Sequence, residues 1–482
     1  MSVRTPTVPV PPKRAVPSDT VVYKDISALI TNNDSLGEIF DAAMVVKGNE
    51  IVWVGKQADL QDTWNADKVV SMANTIVSPG LINTHNHMNQ TLVRCIGTDY
   101  PLFNWLLSLY PGMATYTGED VYVSAKLAMA ELIMNGCTTS SDHLYVYAND
   151  VTLDDTIRAS REIGMRFQPV RGIMTMGASR GGLPPDEVVE DLESALADTE
   201  RLIQEFHDDT KFSMLRISVG PCAPFTVENE CMTRGADLAR KYKVRLHTHL
   251  AENTQDLEYC RKNYDCTPAE YIKKVGWDQD DCWFAHCTLV TKEEIQLFSE
   301  RGIGIAHCPS SNCRLASGIL PSREVLDGGV NIGLGVDGAA SEDSQNLLEQ
   351  MRWAMMLQRG RLQDVKGLKL REAFYMATKG GAKNLGRDDI GELCPGFAAD
   401  FVAWNTKGNL SLAGSLHDPV SSLVLCTPGP VYYAVINGEM IVDKGKFTTI
   451  DVEFLVEDHN KRSARICAIC KESEKAAAHL SV

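Results

Sequence analysis

Apolar positions along the chain change period twice. From residue 20 to 78 they come in short runs of strand length. Met44-Val45-Val46 and Ile51-Val52-Trp53-Val54 flank Gly48-Asn49, a dipeptide suited to the tight turn of a β-hairpin. Residues 390–450 read the same way: Asp400-Phe401-Val402-Ala403-Trp404, then Tyr432 to Ile436, a turn at Asn437-Gly438, and Met440-Ile441-Val442. Between these flanks, short apolar strands end near Thr84, Ser141, Arg171, Gly220, His249, His286, His307 and Asp337. Helical stretches separate them, among them 119–135, 186–206, 227–241, 291–300 and 343–358. Eight strand–helix units in about 300 residues predict a (β/α)8 barrel. A doubly wound sheet would need a glycine-rich phosphate turn after its first strand, and the sequence has none there. The expected organisation is a barrel over 76–385 and a small β-sandwich built from both chain ends, 19–75 and 386–450. A flexible proline-rich tail over 1–18 and a polar, partly helical tail over 451–482 complete it.

Composition narrows the partners. Lys and Arg total 47 against 63 Asp and Glu, a net charge of −16. Such a field repels phosphate backbones and anionic membranes, so neither nucleic acid nor a membrane is expected as a partner. No apolar run reaches the ~18 residues of a membrane span. The 14 cysteines are scattered over the chain, the pattern of reduced thiols in a cytoplasmic protein. Cys467 and Cys470 form a CxxC with no second pair to complete a zinc site. The N-terminus lacks the apolar stretch of a secretory signal. It holds no acidic residue before Asp19, which leaves an organelle transit peptide as the alternative to a plain extension.

Histidine placement carries the chemistry. Of 11 histidines, His85, His87, His143, His249, His286 and His307 sit at or just after a predicted barrel strand end, and His247 lies within a strand. Barrel active sites form at those ends. His85 and His87 are two apart on one strand and point to the same side. His249 ends the fifth strand, with Glu252 three residues on, and Asp337 ends the eighth. Three neutral imidazoles and one carboxylate make an open catalytic site for one Zn²⁺, with Fe²⁺ as the alternative. An ion so held lowers the pKa of water towards ~7.

The run Val77-Ser78-Pro79-Gly80-Leu81-Ile82-Asn83-Thr84-His85-Asn86-His87 resembles the opening motif of the amidohydrolase superfamily. Gly391-Glu392-Leu393-Cys394-Pro395-Gly396-Phe397-Ala398-Ala399-Asp400 resembles its closing motif. The resemblance spans roughly 20–450 and is to the single-metal aminohydrolases. Two-metal members carry a bridging lysine at the end of strand 4. Here Ser218-Val219-Gly220-Pro221-Cys222-Ala223-Pro224 holds none, and Cys222 is expected to line the pocket. The resemblance implies His85, His87, His249 and Asp337 as metal ligands, with Asp337 also taking the proton of the attacking water. It implies Glu252 as proton shuttle and His286 as the group that orients water or substrate.

The stretches around Asn86–Leu92, Phe103–Leu106, Ser141–His143, Val170–Gly172 and Ala306–Gly318 are similar to those of members that deaminate 8-oxoguanine and hydroxyatrazine. They imply a small heterocyclic substrate bound by Gln90, Trp105, His143 and Arg171. Two alternatives stay open: Trp105 as a helix packing residue, and Arg171 paired with a barrel carboxylate. Adenosine-type members place a ribose-binding glutamate before this tryptophan, where the chain has Asn104. The order of expectation is an 8-oxoguanine-like purine, giving urate and ammonia, then an s-triazine or pterin, then guanine. A homo-oligomer is expected by the same likeness. A scaffold that has lost catalysis is the competing class, and the intact ligand set argues against it.

Overall fold

The computed structural model describes residues 4–480. Eight parallel strands form the barrel: β1 (Leu81–Asn83), β2 (Cys137–Leu144), β3 (Arg166–Ile173), β4 (Ser218–Pro221), β5 (Leu246–Leu250), β6 (Cys282–His286), β7 (Gly304–His307) and β8 (Asn331–Leu334). Each pairs with its sequence neighbour, as right-handed β–α–β connections require. Between β8 and β1 the ring is drawn together by Thr84 N–H donating to the Leu334 carbonyl at 2.9 Å. Asp337 N–H likewise donates to the His85 carbonyl at 3.1 Å. Both faces of these strands are buried, the inner by the barrel core and the outer by helices.

The two chain ends meet in a second, mostly antiparallel sheet of nine strands. Thr75–Pro79 pairs with Phe401–Asn405, joining the N-terminal strands to the C-terminal ones. Both hairpins form as the turn dipeptides predict, Glu38–Lys47 with Glu50–Lys56 and Tyr433–Ile436 with Glu439–Asp443. Val21, Tyr23, Met44, Phe401 and Tyr433 pack in the core of this sheet. Gly80 is the passage from sheet to barrel: a Cβ there would lie 2.0 Å from Thr138 Oγ1, so only glycine fits. A buried bidentate pair, Arg166 with Asp400 at 2.6 and 2.9 Å, ties β3 to the closing motif.

Both expected tails are packed instead. Arg4 Nε donates to Glu190 at 3.0 Å, Lys13 to Asp208 at 2.7 Å, and Arg14 pairs with Glu439. The Pro11 carbonyl accepts from Arg161 at 2.6 Å. Prolines forbid a helix here but favour an extended strap, and its basic residues each find a partner. At the other end Val452–Leu480 is a helix docked on Leu102–Met113, on Gly118–Met134 and on the 3-10 segment Met88–Val93. Its buried stripe is Leu455, His459, Ile466 and Cys470, a helical spacing too polar to stand out in the sequence. We number the three helices α1 (Leu102–Met113), α2 (Gly118–Met134) and α3 (Val452–Leu480). None of the described helices is long and apolar enough to cross a membrane.

Candidate active site

The C-terminal ends of β1, β5, β6 and β8 deliver His85, His87, His249, His286 and Asp337 to one point inside the barrel mouth. Hydrogen bonds assign the tautomers of the three imidazoles. His249 Nδ1–H donates to the Cys222 carbonyl at 2.6 Å, and His87 Nδ1–H to the His143 carbonyl at 2.7 Å. His247 Nδ1–H donates to the Trp283 carbonyl at 2.7 Å, so its Nε2 accepts from His85 Nδ1–H, also at 2.7 Å. All three Nε2 atoms of His85, His87 and His249 are therefore bare lone pairs, and they face one another.

Two acceptors, His87 Nε2 and His249 Nε2, stand only 3.1 Å apart. Asp337 Oδ1 lies 3.3 Å from His85 Nε2 and 3.4 Å from His87 Nε2. His85 Nε2 and Asp337 Oδ1 are buried without a hydrogen-bond partner. Lone pairs crowded in this way repel unless a cation lies among them. Separations of this size are the edges of a tetrahedron around an ion with ligands at ~2.0–2.2 Å. The donor set fits a divalent cation of the zinc type. Burial holds His85 and His87 down to about 4, and takes His249 well below its usual value, so the rings are neutral.

Asp337 is fixed from behind. Its Oδ2 accepts from Ser311 Oγ at 2.6 Å and Ser341 Oγ at 3.0 Å. Burial opposes its ionisation, and the two serine hydroxyls favour the carboxylate. His286 Nδ1–H donates to Asn312 Oδ1 at 2.8 Å, which leaves Nε2 3.7 Å from Glu252 Oε2. Burial pushes the Glu252 carboxyl up, so it keeps a proton to higher pH than a free glutamate does. Ser317 Oγ donates to Glu252 Oε1 at 3.2 Å, and the buried Asp256 carboxylate accepts from Glu252 N–H at 3.2 Å. Glu252 is thus a buried carboxyl with a fixed position, beside a histidine and facing the ligand cluster.

A pocket opens over this cluster. Its walls are apolar, with Leu102, Trp105, Leu106, Phe225 and Leu315. Gln90 lines it and donates through Nε2 to Tyr145 Oη at 3.2 Å, leaving its Oε1 buried without a partner. Trp105 also lines it, with its indole N–H held by the Ala340 carbonyl at 3.1 Å. Cys222 lines the wall as expected, its thiol pushed up to about 12 by burial.

Two sequence-predicted substrate contacts lie elsewhere. Arg171 points outward from β3 into the helix layer. It is fully buried there against Glu190 at 2.7 and 3.0 Å and Asp198 at 3.1 Å, with its guanidinium stacked over Tyr147. The carboxylate-paired alternative is the one the structure adopts. His143 stacks on the His249 ring, and its Nε2–H is used on the Gly220 carbonyl at 2.8 Å. It packs behind the ligands and does not line the pocket. The sequence did not single out His247 as a support of His85, nor Ser311, Ser341, Asn312, Ser317, Asp256 or Tyr145. Tyr145 alone had a positional signal, two residues past His143 at the end of β2.

Comparison with known proteins agrees with this geometry. A family model described as "Amidohydrolase family" matches residues 76–479. The chain is 40% identical over 397 residues to 8-oxoguanine deaminase of Pseudomonas aeruginosa, covering 82% of this chain and 88% of that protein. It is 33% identical over 459 residues to hydroxydechloroatrazine ethylaminohydrolase of Pseudomonas sp. strain ADP, covering 90% and 92%. Among solved structures, atrazine chlorohydrolase from Arthrobacter aurescens TC1 complexed with zinc superposes with a TM-score of 0.87 at 32% identity. That superposition covers 92% of this chain and all of the other.

Proposed function

Because the chain belongs to the amidohydrolase family and is a hydrolase acting on carbon–nitrogen bonds, we propose that it deaminates a free, flat, nitrogen-rich heterocycle. The proposed substrate is an 8-oxoguanine-like purine. Water and 8-oxoguanine give urate and ammonia. The observation that carries this reading is the pocket lining. Above the ligand cluster the pocket is mostly apolar, Gln90 with its unpartnered Oε1 is among its lining residues, and Glu252 is its one carboxyl outside the proposed ligands. A neutral ring with an N–H edge satisfies both, and 40% identity to an 8-oxoguanine deaminase supports the choice.

His85, His87, His249 and Asp337 hold one Zn²⁺ in this reading, with Fe²⁺ as the alternative. Bound there, the ion supplies Lewis acidity and lowers the pKa of water towards ~7. The chain's own groups do the rest. Gln90 and Trp105 orient the ring, the amide reading an N–H edge and the indole closing one face. Asp337 accepts the proton of the attacking water. Glu252 gives its proton to a ring nitrogen as the bond to oxygen forms. It regains one from the new hydroxyl and passes it to the departing amine, which leaves as ammonia. The proton held by Asp337 then restores Glu252. His286, locked by Asn312, keeps Nε2 towards Glu252 and the reacting carbon.

The test is ammonia release from purified protein offered purines, pterins and s-triazines. The reading expects 8-oxoguanine to lead in catalytic efficiency. A tenfold lead by hydroxyatrazine would put the triazine reading first, which 33% identity to hydroxydechloroatrazine ethylaminohydrolase supports. A lead by adenosine or adenosylhomocysteine would overturn the free-base reading. The same proposal describes a cytoplasmic homo-oligomer with no nucleic-acid partner. Its net charge of −16 and the exposed Trp353 and Met356 support it, and a solution mass measurement tests its assembly.

A further inference from the structure

We propose that His459, on the C-terminal helix, is a positioning residue of the active site. It fixes the segment Met88–Val93, which joins the ligand position His87 to the pocket residue Gln90.

The geometry is a chain of buried hydrogen bonds with one consistent direction. Ser124 Oγ donates to the Met88 carbonyl at 2.7 Å. Its single proton is then used, so Thr91 Oγ1, at 2.6 Å, donates to Ser124. Thr91 has then used its own proton, and it accepts from His459 Nε2–H at 2.8 Å. The relay runs from α3 through Thr91 and Ser124 to the carbonyl of the residue directly after His87. On the other side, Met88 N–H donates to Asp142 at 2.7 Å. Met88, the residue that turns the chain from ligand to pocket, is therefore gripped at both its N–H and its carbonyl.

The helix is seated so that it can carry this load. Arg462 and Arg465 reach Asp120 at 3.1 and 2.6 Å, and that carboxylate also caps α2 at Thr117. Ser463 donates to the Leu92 carbonyl at 2.9 Å. Gly112 of α1 makes room for the helix, since a Cβ there would lie 2.4 Å from Cys470 Sγ. Helix α1 in turn supplies Leu102, Trp105, Leu106 and Tyr110 to the pocket wall. Without α3, the 3-10 segment and α1 would each lose a buried face, and the substrate wall would have no outer support. Burial holds His459 down to about 4, so the ring is neutral and the relay persists through neutral pH.

The test uses the full chain loaded with metal, comparing His459→Phe, His459→Gln, Thr91→Val and the double variant His459→Phe/Thr91→Val. Phenylalanine removes the donor, whereas glutamine keeps an N–H at similar reach. Hydrogen exchange over residues 88–93 is read first, since it needs no substrate. Faster exchange is expected in His459→Phe and Thr91→Val, with near wild-type protection in His459→Gln. Kinetics follow on the best heterocycle of the ammonia screen. KM is expected to rise roughly 5- to 30-fold, the loss of one buried hydrogen bond, with kcat within about threefold and metal content unchanged. The double variant is expected to be no worse than either single one. Only the kinetic arm rests on the deaminase reading, so an inactive protein with altered exchange would count against that reading alone. A fall in melting temperature with unchanged exchange and unchanged KM would overturn the positioning role. So would equal losses in the Phe and Gln variants. If His459→Phe fails to fold, Thr91→Val tests the same bond from its other end.

Discussion

Replacing His247 by phenylalanine removes one hydrogen bond that sets the tautomer of a proposed metal ligand. His247 Nε2 accepts from His85 Nδ1–H at 2.7 Å, and both rings are fully buried, so water cannot take its place. The ring of His247 stacks on Trp283 with centroids 4.4 Å apart, and phenylalanine preserves that packing. What is lost is the acceptor for His85 and the donor to the Trp283 carbonyl. His85 is then free to place its proton on Nε2, where it would face Asp337 Oδ1 and block the ion. Loss of a ligand's outer partner costs 10- to 100-fold in metal affinity, or about 1.4–2.8 kcal/mol. The assay is zinc competition against a chromogenic chelator at neutral pH. His247→Phe is expected to bind 10- to 100-fold more weakly. His247→Gln can accept from His85 and donate to the Trp283 carbonyl, and is expected within about threefold of wild type. Wild-type affinity in His247→Phe would refute the tautomer assignment, and so would a glutamine variant as weak as the phenylalanine one.

Glu252→Gln keeps size and hydrogen bonding but carries no acidic proton. Turnover should fall roughly 10²–10⁴-fold with zinc content retained by elemental analysis, and near-normal turnover would remove Glu252 from the mechanism. Arg171→Met removes the cation that bridges buried Glu190 and Asp198, leaving Glu190 with Arg4 and Asp198 with Arg201. Chemical denaturation should show a loss of about 1–3 kcal/mol with substrate preference unchanged, whereas a switch of preference at intact stability would return Arg171 to the pocket. Asp389 is opposed by burial but held by Arg387 down to about 2, below the ~3.9 of an unfolded aspartate. Its contribution to stability is present above pH ~4 and lost as pH falls towards 2, so Asp389→Asn should flatten the stability curve in that window. An unchanged acid slope would contradict that.

The strand ends were legible because apolar runs stop abruptly at histidines, and the barrel follows from their number. The cluster proposed to hold the ion was legible for the same reason: His85, His87, His249 and Asp337 lie at or just beyond strand ends, where side chains converge. Arg171 was not, and the reason is parity. On a barrel strand both faces are buried, so no hydrophobic alternation marks which residue faces the axis. A shift of one position sends Arg171 to Asp198 in the helix layer instead of to the pocket. The serines that hold Asp337 lie in loops where serine is common, so their role shows only in three dimensions. The docking of the C-terminal helix stayed hidden because its buried stripe includes His459 and Cys470 beside two aliphatic residues.

Everything proposed for the site rests on one divalent ion, held by His85, His87, His249 and Asp337, that enables deamination of a free heterocycle. Metal-stripped protein titrated with zinc, with ammonia release from 8-oxoguanine read at each addition, puts that ion to the test. No release is expected from the stripped protein, then a linear rise, and a break at about one zinc per chain, as four ligands imply. Full activity without metal, or a break at two equivalents, would contradict it.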